Sequence, residues 1–386
     1  MEYYEAALNK YPDHELARPT TLLLGTVYVE SREFDKAIGL FRDRLTNYPK
    51  DAGNDKIRLL LGKAYYEKGI HVAAVNAFDQ VIAEYPASPL VEEAHSLKAD
   101  AYFAAELFSE ARYAYTQLIN KFPETERGDF VYYQLGLCAF NLNQYDEAIY
   151  YLQRGMEQYP LSKYRYRSRF VIARTHAGRG ENDKAIEHLE RLVNNEYLSG
   201  SDVFYDAAYE LGRLLHEKGE HKKAAGMFEE VINGQVGHAF FLKAVKARGE
   251  VYAAMGRTDD MIKSYREVIA LLEQKEAASE AERLQKREDV ASFYAAMGDA
   301  RFKEKRFKEA LEHYRKAYDS RKESPRSDWV IYQIANSYNE LGEYNDALTY
   351  YELLEEVHPD SYWARQLDFN RKKMSVNRQL KEETFN

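Results

Sequence analysis

An all-α, right-handed solenoid of helix-turn-helix repeats is the fold class this sequence predicts, and three observations predict it. Prolines recur at a fixed interval: Pro12, Pro49, Pro86, Pro123 and Pro160 stand 37 residues apart, each behind an aromatic residue (Tyr11, Tyr48, Tyr85, Phe122, Tyr159). A small-residue series runs in phase with them, as Ala37, Ala74, Ala111, Ala148 and Ala185, then Ala224, Met261, Ala310 and Ala347. Around each member the pattern is constant. Twelve residues earlier lies Gly or Ala (Gly25, Gly62, Ala99, Gly136, Ala173, Gly212, Gly249, Gly298, Ala335), and four residues later lies a ring or leucine (Phe41, Phe78, Tyr115, Leu152, Leu189, Phe228, Tyr265, Tyr314, Tyr351). A fixed period of this length is the signature of a repeat array, in which each unit buries its apolar face on its neighbours.

Within each period the elements follow in order. Small residues on two successive helices allow close backbone approach, and the large residue fills the space beside that contact. Short polar turns, such as Glu67-Lys68-Gly69 and Asn143-Gln144, separate the two helices. The aromatic-proline pair ends the second helix, because proline pushes the preceding residue out of the α region. At Ser88-Pro89 the order predicts an N-cap followed by an N1 proline for the next helix.

Along the chain, residues 1–360 read as the array. Residues 1–13 form a half repeat, a second helix without its first, which implies that Met1 is an internal boundary and not a natural terminus. About nine repeats follow. The one around Ala185 has lost the usual signals, with Ala173, His176 and Tyr197 in their place. A charged, helix-forming insertion is expected near 273–288 (EQKEAASEAERLQKRE). Residues 361–386 read as a capping helix, Ser361 to about Lys381, and a tail.

Composition narrows the function. Formal net charge is −9, with Lys+Arg 54 and Asp+Glu 63, which argues against a nucleic-acid partner. No stretch approaches 18 apolar residues, so no transmembrane segment is expected. The single cysteine, Cys138, sits in an apolar run and reads as a buried thiol. His71 and His221 occupy a slot that other repeats fill with a ring, and His216-Glu217 lacks the H-E-x-x-H spacing, so no metal is expected. No nucleophile elbow or phosphate loop occurs. With the residues assigned to repeats, a catalytic domain has no place; the expectation is a non-enzyme without cofactors. Most of the 33 tyrosines fall on repeat positions and read as architecture.

The sets Gly25, Tyr28, Ala37, Phe41, Pro49 and Gly62, Tyr65, Ala74, Phe78, Pro86 resemble the tetratricopeptide repeat, as does Ala335, Tyr338, Ala347, Tyr351, Pro359. The resemblance covers essentially the whole chain, with a period of 37 in place of 34. The longer form looks like the bacterial periplasmic subgroup that includes the repeat lipoprotein of the outer-membrane barrel-assembly machinery and the TolA-binding cell-division coordinator. It implies a periplasmic or envelope-associated scaffold, with a cytoplasmic location as the alternative.

The family lines its concave face with first-helix residues. Carried over, this gives a candidate groove of Phe130, Tyr133, Phe140, Arg167, Phe170, Arg174, Tyr209, Arg213 and His216. A secondary set comprises Lys56, Lys63, Tyr66, Trp329, Tyr332, Asn336 and Asn339. Lys163, Arg165 and Arg169 add charge nearby. Aromatic residues interleaved with arginine have the composition of interaction hot spots. The expected partner is a protein or peptide of acidic and apolar character, in a larger envelope complex. A glycan stacked on tyrosines, as in polysaccharide export, is the alternative.

Overall fold

Why the period of 37 makes helical pairs is visible in the packing of one residue on another. A computed structural model of the protein describes residues 1–234, 240–320, 327–367, 369–372 and 374–375. The in-phase alanines are fully buried, from Ala37 to Ala347, and Met261 almost so. The glycine twelve residues earlier has the large side chain of the same repeat pressed against its Cα. Phe41 lies on Gly25, Phe78 on Gly62, Leu152 on Gly136 and Tyr314 on Gly298, leaving no room for a Cβ. The small residue therefore opens the slot that the ring fills.

Two compact units divide the chain, Met1–Glu196 and Tyr197–Asn386. The first unit opens with α1 (Glu2–Lys10), followed by five hairpins. These are α2 (Ala17–Glu30) with α3 (Phe34–Asn47), α4 (Asn54–Glu67) with α5 (His71–Glu84), and α6 (Val91–Ala104) with α7 (Phe108–Lys121). Then come α8 (Gly128–Asn141) with α9 (Tyr145–Gln158), and α10 (Arg165–Gly178) with α11 (Asn182–Val193). Consecutive helices pack on each other, and first helices also touch (α2 with α4, α4 with α6, α8 with α10), so they share one face.

The second unit holds four hairpins among the described residues. They are α12 (Asp202–Glu217) with α13 (His221–Gly234), and α14 (Phe241–Ala254) with α15 (Thr258–Gln274). After them stand α16 (Glu280–Lys303) with α17 (Phe307–Ser320), and α18 (Asp328–Leu341) with α19 (Tyr344–Val357). The division falls beside the repeat that lost its signals: α11 stops early, a 3-10 turn covers Glu196–Leu198, and Ser201 caps α12 through its side chain.

Helix ends follow local chemistry. Every hairpin turn contains one left-handed residue, at Arg32, Gly69, Glu106, Asn143, Gly180, Gly219, Gly256, Lys305 and Gly342. The next residue donates back five positions, as Ile70 N to Tyr65 O at 2.8 Å and Leu107 N to Tyr102 O at 3.0 Å, which closes the first helix in a Schellman arrangement. Tyr48, Tyr85, Phe122 and Tyr159, each before proline, end the second helices with φ between −125° and −130°.

Three expectations need correction. Ser88 and Pro89 do not cap α6, which begins at Val91. Instead the Ser88 hydroxyl accepts from Leu90 N at 3.1 Å and donates to Asp55 of α4 at 2.6 Å, so it ties the linker to the preceding hairpin. The charged insertion is not continuous helix. It lengthens the end of α15 and the start of α16, with Lys275–Ser279 between them, and Lys286 donates to the carbonyls of Glu273 and Lys275. The expected cap begins with a 3-10 turn, Ala364–Gln366. Leu367 and Met374 then pack on the last hairpin. The rest of the expected helix and tail, from 376 onward, lies outside the described residues.

Candidate functional site

The shared face of the first helices carries the residues singled out in the sequence. Adjacent helices α8 and α10 bring several together in the first unit. Tyr133 stacks on Tyr164 with centroids 5.2 Å apart, and Phe130 leans on the same ring at 5.5 Å. The Arg127 guanidinium covers Phe130 from 4.4 Å. Phe140 receives the Arg174 guanidinium at 4.9 Å and packs with Tyr133 and Leu137 against Leu152, Val171 and Ile172. Phe130, Tyr133 and Phe140 thus spend much of their surface on the seam between hairpins. Phe170 is half-buried, and Arg167 is exposed. Among the described residues, neither Arg167 nor Arg174 has a carboxylate within ion-pair distance.

The secondary set in the same unit has a concave feature of its own. Lys63 and Tyr66 line a cavity of about 430 Å³ with Val29, Glu30, Arg32, Phe34, Glu67 and Leu97. Its floor is apolar and its rim charged. Lys63 pairs with Glu93 at 2.6 Å, Tyr66 meets His71 edge-on at 5.7 Å, and burial raises the Tyr66 phenol. Lys56 stands exposed at the start of α4.

In the second unit, Tyr209 stacks on Phe240 with centroids 4.7 Å apart. Arg213 lies between Glu210, at 3.1 Å, and Glu217, so its charge is already satisfied. His216 and His221 bring their Nδ1 atoms to 3.0 Å. No group of three potential metal ligands occurs among the described residues. At the last hairpin, Trp329 and Tyr332 pack with Trp363 at 4.4 and 4.9 Å, and Tyr332 accepts from Asn370 at 2.8 Å. Asn336 accepts from Tyr351 at 2.8 Å, while Asn339 is buried with its Oδ1 unpartnered.

The nine groove candidates therefore fall on two separate units, six on the first and Tyr209, Arg213 and His216 on the second. Sequence reasoning missed Tyr164, Phe240 and Trp363. Each is the aromatic residue 31 positions after the tyrosine that it packs on, in the segment that follows the second helix of the hairpin. That constant offset was a legible signal.

Comparison with known proteins supports the same architecture. The family model described as tetratricopeptide repeat matches residues 22–89, 59–127 and 96–162. One described as tetratricopeptide repeat-like domain matches 131–292, and a further tetratricopeptide repeat model matches 301–367. No curated protein matches the sequence significantly. Among solved structures, the apo form of RapI is similar with a TM-score of 0.56 at 15% identity, over 91% of this chain and 98% of that one. The C-terminal part of a repeat-containing protein from Cytophaga hutchinsonii gives 0.51 at 15% identity, over 69% and 97%. YrrB, described as having an unusual peptide-binding site, gives 0.39 at 21% identity, over 53% and 97%.

Proposed function

Since the chain belongs to the tetratricopeptide-repeat family, whose stacked hairpins leave the first helices open along one face, we propose that it is a non-catalytic scaffold holding a partner protein or peptide on that face. One observation carries the reading. Arg167 and Arg174 stand on the open face of α10 without carboxylate partners, beside Phe140 and Phe170, in a protein of net charge −9. Unpaired guanidinium groups next to apolar rings suit an acidic, partly apolar segment. The cavity lined by Lys63 and Tyr66 suits one apolar side chain of the same partner. The test is affinity capture with Arg167→Glu and Arg174→Glu combined. Capture should fall sharply, and unchanged capture would sink the assignment.

A glycan is the second reading, favoured by the partly exposed Trp329, Tyr332 and Trp363 rings of the second unit. Titration with neutral and anionic glycans while following tryptophan fluorescence decides it, because both tryptophans of the chain lie in that cluster. The proposed setting is bacterial envelope assembly, which rests on the 37-residue period. Cell fractionation checks it, and recovery wholly in the cytosol would remove it.

A further inference from the structure

α10 carries a second set of cations off the open face. Arg165 and Arg169, four residues apart, share one side of the helix, whereas Arg167 and Arg174 share another. From Pro160 to Thr175 the chain holds Lys163 and these four arginines and not one Asp or Glu. Elsewhere in the first unit arginine is usually paired: Arg18, Arg44, Arg58, Arg112, Arg127, Arg179 and Arg191 each have a carboxylate. Among the described residues, none of the five cations from Lys163 to Arg174 has one.

The repeat itself supplies a reference for what is missing. Three periods before Arg169 stands Arg58 of α4, which bonds Gln80 and pairs with Glu84 of α5 at 2.9 Å. The residues three periods after Gln80 and Glu84 are Arg191 and Asn195. In the α10–α11 hairpin a second arginine thus takes the position of Gln80, and Asn195 takes that of the carboxylate Glu84. Arg191 has only the exposed Glu187 of its own helix, at 2.6 Å. Burial, with Arg191 and Arg165 alongside, holds the Arg169 guanidinium below its usual range. Next to them the His188 Nδ1 is buried without a partner. Arg165 donates to the Pro160 carbonyl at 3.4 Å and lies 5.9 Å over the Tyr166 ring, and the nearby Leu161 is almost fully exposed.

We propose that this edge of the α10–α11 hairpin docks an acidic segment of a partner chain, with a carboxylate entering between Arg165, Arg169 and Arg191 to serve Arg169 as Glu84 serves Arg58. The inference rests on the scaffold reading and extends the bound segment beyond the open face. A carboxylate fits because Arg58, the counterpart of Arg169, pairs with one. A flat anionic membrane would meet Leu161, Lys163 and Arg165, but not the recessed Arg169.

The experiment is fluorescence anisotropy of fluorescein-labelled hexaglutamate titrated with the full chain at low salt. Arg165→Gln with Arg169→Gln should weaken binding about tenfold or more, and more than Arg167→Gln with Arg174→Gln does, while Arg42→Gln with Lys50→Gln, both exposed, leaves it within about twofold. Arg169→Glu should end binding and raise the Tm of the free protein, because it restores a carboxylate to Arg191. Circular dichroism confirms that each variant folds. Loss of binding only in the Arg167/Arg174 pair would overturn this edge and leave the groove standing. No gain in Tm for Arg169→Glu would overturn the missing-carboxylate argument. Sedimentation of the chain with phosphatidylglycerol vesicles, in the absence of hexaglutamate binding, would overturn the peptide assignment.

Discussion

The two units contain the same polar node, and the difference between the copies separates packing from charge. In the first, Tyr115 donates to Asp100 at 2.7 Å and accepts from Gln134 at 3.2 Å. In the second, Tyr314 donates to Asp299 at 2.7 Å and accepts from Gln333 at 3.2 Å, with identical sequence offsets. Both rings are fully buried, and both phenols are pushed well above the ordinary tyrosine value, chiefly by burial. The carboxylates differ. Arg127 holds Asp100 at 3.0 Å. Asp299 is an exposed residue whose Oδ1 faces the buried Tyr314 hydroxyl. Partial burial of that end holds its carboxyl above the usual range, despite the hydrogen bond from Tyr314. A third copy shows that the charge is dispensable, because Tyr351 donates to Asn336 at 2.8 Å. Ring geometry is thus set by the hairpin, and the group beneath the hydroxyl need only accept.

The largest expected effect attacks what the nodes share. Tyr115→Ala or Tyr314→Ala should each cost about 3–5 kcal/mol, since each leaves a ring-sized void and strands a glutamine. A thermal melt showing no loss for either would break the equivalence. Next comes the charge. Asp100→Asn should destabilise by about 1–2 kcal/mol, because it leaves Arg127 without its acid. Asp299→Asn should be neutral or stabilising at pH 7.

The sign of the pH dependence follows from the raised Asp299 carboxyl. The folded state binds this proton more tightly than the unfolded state does. Its contribution is therefore fully present below the ordinary carboxylate value and is lost as pH rises through the folded one. Melts between pH 3.5 and 7 should show that loss in the parent chain and its absence in Asp299→Asn. An equal loss in both would assign the effect elsewhere.

The smallest effect concerns the turns. Glu106 in the first unit and Lys305 in the second adopt φ of 59° and 60°, where five other hairpins use glycine. Glu106→Gly and Lys305→Gly should each gain about 0.5–1 kcal/mol, the relief of a left-handed side chain less the entropy of glycine. A fall in Tm for either variant would show that the side chain holds the turn.

Much of this was legible in the residues because each repeat writes the same local rule. Gly62, Ala74 and Phe78 announce a slot, a contact and its filler, and Tyr85-Pro86 announces the end of a helix. Glu106 and Lys305 hid their turns, since a left-handed residue other than glycine leaves no mark in composition. Ser88 misled because serine before proline reads as a cap, whereas its hydroxyl was committed to Asp55 across the hairpin. The candidate face was half legible. First-helix register named Tyr133 and Arg174, but not the stacking of Tyr133 on Tyr164, which depends on where the following linker lies.

By itself the sequence determined an all-α array, its nine hairpins, the positions of the buried alanines and the weak repeat beside which the two units divide. These rest on interactions within one period, where spacing along the chain fixes distance in space. Only the tertiary structure decided which charges are answered. It paired Arg58 of α4 with Glu84 of α5 and, among the described residues, left Arg167, Arg169 and Arg174 without acids. It also gave Asp100 an arginine 27 residues away. Such pairings join different helices, and no spacing within one helix can record them.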